Sequence, residues 1–134
     1  MNVHFTVFGT PQPQGSLRAF IPKGWTRPVL TSSNKSLRSW RQEVASAAVV
    51  AMSRDRRAES WRPVTLKALF YFDRPRSLSK RITEKSTRPD LDKLVRALGD
   101  ALAGICYERD SQINRIVAQK EYGSPARTEV TITA

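Results

Sequence analysis

The chain has 134 residues, enough for one compact domain and too few for two of ordinary size. Hydrophobic residues make up 40%, too many for a disordered chain, and the single cysteine and single histidine, Cys106 and His4, exclude a disulfide framework and a Cys/His zinc site within one chain. The net charge of +11, from 23 basic and 12 acidic residues, points to a polyanionic partner, against the plainer alternative of a soluble basic surface with no special ligand.

The first residues, Met1 to Phe5, lack a basic segment followed by an apolar run, so no signal peptide is expected. A lone thiol fits a reducing cytoplasm. The longest apolar-rich stretch, Val44 to Met52, is too short to span a bilayer. No basic amphipathic helix with aromatic anchors marks a membrane surface.

Val3 to Phe8 alternates apolar and polar residues and reads as a strand with Val3, Phe5 and Val7 on one face. Gly9-Thr10-Pro11-Gln12-Pro13-Gln14-Gly15 breaks it. Ala19 to Pro22 and Pro28 to Thr31 form a hairpin around Lys23-Gly24-Trp25. Ser32, Ser33 and Asn34 offer caps for a helix from Lys35 to about Ser53, with Leu37, Trp40, Val44, Ala47, Ala48 and Ala51 on its stripe. Pro63 to Phe72 is a second alternating strand. Residues 73–89 carry Arg74, Arg76, Lys80, Arg81, Lys85 and Arg88 against Asp73 and Glu84, and read as a mobile surface loop, either a solvated linker or a DNA contact. A second helix is expected from Asp90 to about Ala103, burying Leu91, Leu94, Val95, Leu98 and Leu102, with Gly104 as its stop. Ile113 to Tyr122 and Thr128 to Thr133 read as strands. The order β-ββ-α-β-α-ββ gives an α+β domain spanning 1–134, with two main helices packed on a mixed sheet.

The charge is unevenly placed. Residues 90–110 hold Asp90, Asp92, Asp100, Glu108 and Asp110 against Lys93, Arg96 and Arg109, a net of −2, so the rest of this +11 chain carries +13. A basic surface can hold phosphates while an acidic island holds a cation that acts on one of them. Asp90 and Asp92 open the second helix. Two residues apart within a helix point to different sides, but the first position here is still extended, so both can face one point. The predicted helix is ~21 Å long. The six steps from Gly104 to Asp110 reach at most ~20 Å, so the chain can just return Asp110 to that neighbourhood. Three carboxylates without thiolate or imidazole select Mg²⁺ or Mn²⁺. The competing account is structural: Asp90 is a good N-cap, Asp92 suits the helix dipole, and Asp92, Arg96 and Asp100 sit at the spacing of surface ion pairs.

Three segments carry a family resemblance: Arg88-Pro89-Asp90-Leu91-Asp92-Lys93-Leu94, Arg96-Ala97-Leu98-Gly99-Asp100-Ala101-Leu102 and Tyr107-Glu108-Arg109-Asp110-Ser111-Gln112-Ile113. They resemble the signature of the RusA family of Holliday-junction resolvases, (Lys/Arg)-Pro-Asp-x-Asp-Asn-Leu-x-Lys, then Asp-Ala-Leu, then Asp-Asp-x-Gln. Lys120-x-Tyr122 and the proline-rich turn from Pro11 to Phe20 extend the likeness over nearly the whole chain. The resemblance implies a homodimer that binds four-way DNA junctions and nicks two opposing strands. It implies Asp90, Asp92 and Asp110 as metal ligands and Asp100 as a structural aspartate of the helix. Arg96 stands where the family has lysine, Lys93 where it has asparagine, and Arg109 where it has the first aspartate of the pair. A permanently charged Arg96 suits phosphate or transition-state stabilisation, not proton transfer. Lys93 or Lys120 takes part of the family lysine's work.

Lys23, Arg27, Arg74, Arg76, Lys80, Arg81, Lys85, Arg88, Lys93 and Lys120 are the expected DNA contacts. Trp25, between Lys23 and Arg27, is a candidate for stacking on a base or for packing, whereas Trp40 belongs to the core. Cys106 is expected to pack, and His4 to face outward. The function expected is a Mg²⁺-dependent (Mn²⁺-substitutable) endodeoxyribonuclease that resolves junctions by symmetric nicks. The alternatives are a junction- or duplex-binding relative that has lost its chemistry and a nuclease for other branched DNA. A small stand-alone protein of this kind fits a phage or prophage source.

Overall fold

The computed structural model describes residues 1–15, 17–32 and 36–134. Four strands make one mixed sheet: β1 (Asn2–Phe8), β4 (Val64–Phe72), β5 (Ile113–Tyr122) and β6 (Arg127–Thr133), in the order β1-β6-β4-β5. β6 runs antiparallel to both β1 and β4, and β4 runs parallel to β5. A separate hairpin joins β2 (Leu17–Phe20) to β3 (Val29–Ser32). Two helices, α1 (Leu37–Ala51) and α2 (Leu91–Leu102), complete the expected α+β domain. Among the described residues no helix is long and apolar enough to cross a membrane.

Period-two alternation decides which sheet face is covered. Val64, Leu66, Ala68, Phe70 and Phe72 of β4 are buried, as are Val3, Phe5 and Val7 of β1 and Val130 and Ile132 of β6. They share one core with Leu37, Trp40, Val44 and Ala48 of α1 and with Leu94, Ala97, Leu98 and Leu102 of α2. The opposite sheet face is polar, with Arg127 stacked over Tyr71 at 4.0 Å and paired with Glu129 at 3.4 Å. His4 is on that face, 2.9 Å from the Thr131 hydroxyl.

The sequence-derived elements hold to within a few residues, with two corrections. The buried stripe of α2 is centred on Ala97, Leu98 and Ala101, while Leu91 and Val95 are only partly covered. Ala97, Gly99 and Ala101 are small enough to lie flat against neighbouring elements, so the close-packed side is wider than a pattern of large residues suggests. A short 3-10 turn, Asp110–Gln112, also precedes β5. The predicted caps Ser33 and Asn34, and the predicted helix start at Lys35, lie outside the described residues; the N-cap position of α1 is Ser36. Trp40 and Cys106 are core residues, as expected.

Candidate functional site

The chain enters α2 through Arg88-Pro89-Asp90. Asp90 is the N-cap residue, with extended backbone (φ −68, ψ 135), yet its carboxylate makes no capping hydrogen bond. It stands instead 3.7 Å from the Lys93 ammonium, and both side chains are about half exposed to solvent. The structural account of Asp90 as a capping group is therefore weakened: a carboxylate not spent on the helix end is available to a ligand. Asp92 lies in the first turn, exposed, where the positive end of the helix favours a negative charge.

The N-terminal turn is fastened beside this helix start, with the Gln14 amide donating to the Lys93 carbonyl at 3.0 Å. Between turn and helix lies an open cleft of about 590 Å³. Thr10, Pro11, Gln12 and Pro13 form one wall; Arg88, Pro89, Asp90 and Lys93 form the other, with Phe72 at its base.

Asp110 is reached by a different route. After α2 the chain turns at Gly104, whose φ of +85 suits a residue without a side chain. Its amide donates to the Tyr107 carbonyl at 2.7 Å, and the buried Tyr107 hydroxyl donates back to the Gly99 carbonyl at 2.7 Å. Gln112 completes the turn. Its Oε1 accepts from the amides of Glu108 (2.8 Å) and Arg109 (3.0 Å), and its Nε2 donates to the carbonyls of Glu59 (2.7 Å) and Arg62 (3.1 Å). The Asp110 carboxyl is thereby delivered to α2 beside Gly99 and hydrogen-bonds the Asp100 side chain. Partial burial, then the Asp100 hydrogen bond and charge, push Asp110 from 3.8 up to about 6, against the pull of the Arg41 guanidinium.

The predicted ligands are thus brought together in part. Asp90 and Asp92 share the start of α2, while Asp110 pairs with Asp100, eight residues beyond Asp92 and so ~12 Å further along the helix axis. Among the described residues no three His, Cys, Asp or Glu side chains group closely enough to hold one metal ion. Arg96 falls midway between Asp92 and Asp100 on their shared face, one turn from each. Arg41 was missed by sequence reasoning. It sits about one turn into α1, and only the packing of α1 on α2 brings it near Asp110, so no local pattern could have marked it. Asp100 had a usable signal, its position four residues after Arg96.

The expected DNA contacts divide into two groups. Arg74 donates to the carbonyls of Ser79 (2.6 Å) and Ile82 (2.5 Å) and lies over the Tyr122 ring. Lys85 donates to the Thr87 hydroxyl at 2.9 Å and lies over Phe72 and Tyr122. Lys120 donates to the carbonyls of Thr87 and Pro89. Lys23, Arg27, Arg76, Lys80, Arg81 and Arg88 are exposed, with side chains bonded to no described residue. Trp25 is also exposed, at the tip of the β2–β3 hairpin.

A small α+β domain with acidic side chains on one helix, framed by free surface cations, has the make-up of a phosphodiester-cutting nuclease. The family model for the endodeoxyribonuclease RusA matches residues 9–133. The chain belongs to the RusA family of endodeoxyribonucleases, which are endonucleases of the Holliday-junction-resolvase type acting on branched DNA. It is also similar to the uncharacterized protein YqaN of Bacillus subtilis (strain 168), with 28% identity over 140 residues that cover 97% of this chain and 94% of YqaN.

Proposed function

We propose that the protein is a divalent-metal-dependent endonuclease that binds four-way DNA junctions as a twofold dimer and resolves them by paired, symmetric nicks. The observation that carries this reading is the gathering of carboxyl groups along α2 and on the turn packed beside it, in a strongly basic domain. Asp90 makes no capping bond, and partial burial and the neighbouring Asp100 push Asp110 up to about 6.

These residues fit a hard divalent ion. Every available donor is an oxygen, since Cys106 is buried with its thiol pushed up to about 11, and His4 is on the far sheet face. A carboxyl group held above its ordinary pKa by burial and a neighbouring carboxylate is one whose charged form a bound cation would favour. Asp90 with Asp92 at the start of α2, and Asp110 with Asp100 farther along it, are the carboxylates that would hold Mg²⁺ or Mn²⁺. A bound ion of this kind supplies Lewis acidity and a water of lowered pKa. Lys93 and Arg96 face the phosphate as fixed positive charges and offset the charge that builds on its oxygens. Arg96 cannot exchange a proton at neutral pH, so it holds the phosphoryl group and does not act as a base. The free arginines and lysines of 76–88, with Lys23 and Arg27 on the hairpin, hold the DNA arms by phosphate contact. One small domain has one such site, so two symmetric cuts require two copies about a twofold axis.

The separation of the Asp90–Asp92 pair from Asp110 favours a second reading, a junction-binding protein without cleavage. One assay decides between them. Labelled four-way junction is incubated with the protein in Mg²⁺, in Mn²⁺ and in chelator. Paired nicks that need the ion and vanish in Asp92→Asn are expected. Salt-sensitive binding with no cutting in either metal, or cutting that survives Asp92→Asn, refutes the nuclease reading.

A further inference from the structure

Lys120 stands on β5 in register with Phe70 of β4, on the sheet face that the helices cover. Its ammonium donates to the Thr87 carbonyl at 2.7 Å and to the Pro89 carbonyl at 3.0 Å. Those carbonyls belong to the last residues before Asp90. Little else holds that stretch. Residues 86–90 form no helix or strand, and the Asp90 carboxylate takes no bond from the helix end.

We propose that Lys120 is a positioning residue: by clamping two carbonyls of the 87–89 segment to β5, it fixes where the chain enters α2 and where the Asp90 carboxylate points. The proposal rests on the reading of Asp90 as part of the metal site. Bonds from a charged donor are shorter and stronger than those between neutral groups, which suits a clamp on an otherwise irregular segment. Lysine fits because an ammonium offers three donors and no acceptor, and can serve two carbonyls that diverge from one point. Lys120 is then engaged inside the protein and is not one of the phosphate contacts. That distinguishes it from Arg76 or Lys80, which bond to no described residue.

The test compares Lys120→Met, which keeps the length and the apolar stem, with Lys120→Arg, which keeps donors and charge. Three quantities are read: amide hydrogen exchange along the chain, junction affinity against salt in chelator, and single-turnover cleavage at saturating protein in Mn²⁺. For Lys120→Met, exchange rises about tenfold at Leu94, whose amide donates to the Asp90 carbonyl, and at Gln14, whose amide donates to the Lys93 carbonyl, while the β4 and β6 amides keep their protection. Junction affinity and its salt slope stay at the wild-type values. Cleavage at saturation falls about ten- to a hundredfold, the usual scale for a displaced reacting group, and half-maximal cleavage needs more Mn²⁺. Lys120→Arg restores most of the rate.

A salt slope shallower by about 0.9, with cleavage at saturation unchanged, would make Lys120 a phosphate contact and overturn the proposal. So would exchange that is unchanged at Leu94 and Gln14, or that rises evenly across the sheet, which would mark a merely structural residue. If the wild-type chain does not cut junctions at all, the nuclease reading fails, and the exchange pattern still decides whether Lys120 is a clamp.

Discussion

Gln112 is 7% exposed, and its amide ties the backbone of Glu108 and Arg109 to the carbonyls of Glu59 and Arg62. Replacing it with leucine keeps the volume and removes all four close hydrogen bonds. Two amides, of Glu108 and Arg109, then lose their acceptor, and two carbonyls, of Glu59 and Arg62, lose their donor. A buried polar group left unsatisfied costs about 1–3 kcal/mol. These groups are only part-buried, so water can reach some of them; with two of the four left dry, the loss is about 3 kcal/mol. For a domain of this size that lowers Tm by about 10 °C. Gln112→Glu is worse at neutral pH. It keeps the two accepting contacts but sets a carboxylate against the Glu59 and Arg62 carbonyls, a buried charge facing negative dipoles. Below about pH 5 the introduced carboxyl takes up a proton and can donate again, so the order of the two variants reverses. Thermal unfolding followed by circular dichroism at pH 7 and near pH 4.5 reads both effects. A Tm within about 3 °C of wild type for the leucine variant, or a glutamate variant at least as stable as leucine at pH 7, would refute the argument.

Four further outcomes follow from the site and the core. Asp110 titrates at about 6 in the fold against 3.8, so the folded state holds a proton that the unfolded chain has released. The stability this gives is complete below about pH 4 and is lost as pH climbs through about 6; urea titrations of metal-free protein should show that fall, and Asp100→Asn should flatten it. Asp92→Asn, at an exposed position, should change unfolding free energy by no more than about 0.5 kcal/mol while removing metal-dependent cleavage; a stability loss well beyond that returns Asp92 to a structural role. Arg76→Ala should reduce the salt slope of junction binding by about 0.9, whereas Arg74→Ala should loosen residues 79–82 in hydrogen exchange with a smaller change in slope. Leu98→Ala, fully buried at the centre of α2, should cost about 2–5 kcal/mol in chemical denaturation.

Most of the fold was legible because its signals are local. β4 alternates from Val64 to Ala68 and ends in an aromatic-rich apolar run, which together admit a strand, and every second residue from Val64 to Phe72 is buried. Ile113 to Tyr122 was readable to the residue, since Ile113, Ile116, Val117 and Tyr122 favour strand and Gly123 closes it. What was not legible depends on pairing between distant segments. The true buried side of α2 includes Ala97, Gly99 and Ala101, whose small side chains carry no hydrophobic signal; their burial comes from close approach by α1 and the Tyr107 turn. The same holds for the site. Asp90 and Asp92 were visible as a local motif, and the chain-length limit for Asp110 was correct as a limit. It could not say that Tyr107 and Gln112 would direct Asp110 to Asp100, since that turns on bonds to Gly99, Glu59 and Arg62, the last two about fifty residues away.

The basic residues show the same division and bear on how the charge works. A run such as 73–89 looks uniform in sequence, six cations against two carboxylates. A segment without helix or sheet must still satisfy its backbone carbonyls, and it has few side-chain donors other than its cations. Arg74 and Lys120 donate to backbone carbonyls and Lys85 to the Thr87 hydroxyl, so these three hold the segment against β4 and β5. Arg76, Lys80, Arg81 and Arg88 bond to no described residue and, on the proposed reading, are the ones left for phosphates. The inward-turned cations still add to the long-range field that draws DNA in, because that field depends on net charge and not on which hydrogen bonds are made. Their donors are already partly committed to groups of the protein, which leaves fewer for close contacts. Steering and gripping are therefore separate jobs here, and only gripping is tied to particular side chains. On the proposed reading, the segment's path ends where it matters most, because its last fixed carbonyl, that of Pro89, is held by Lys120 one residue before the first aspartate of the site.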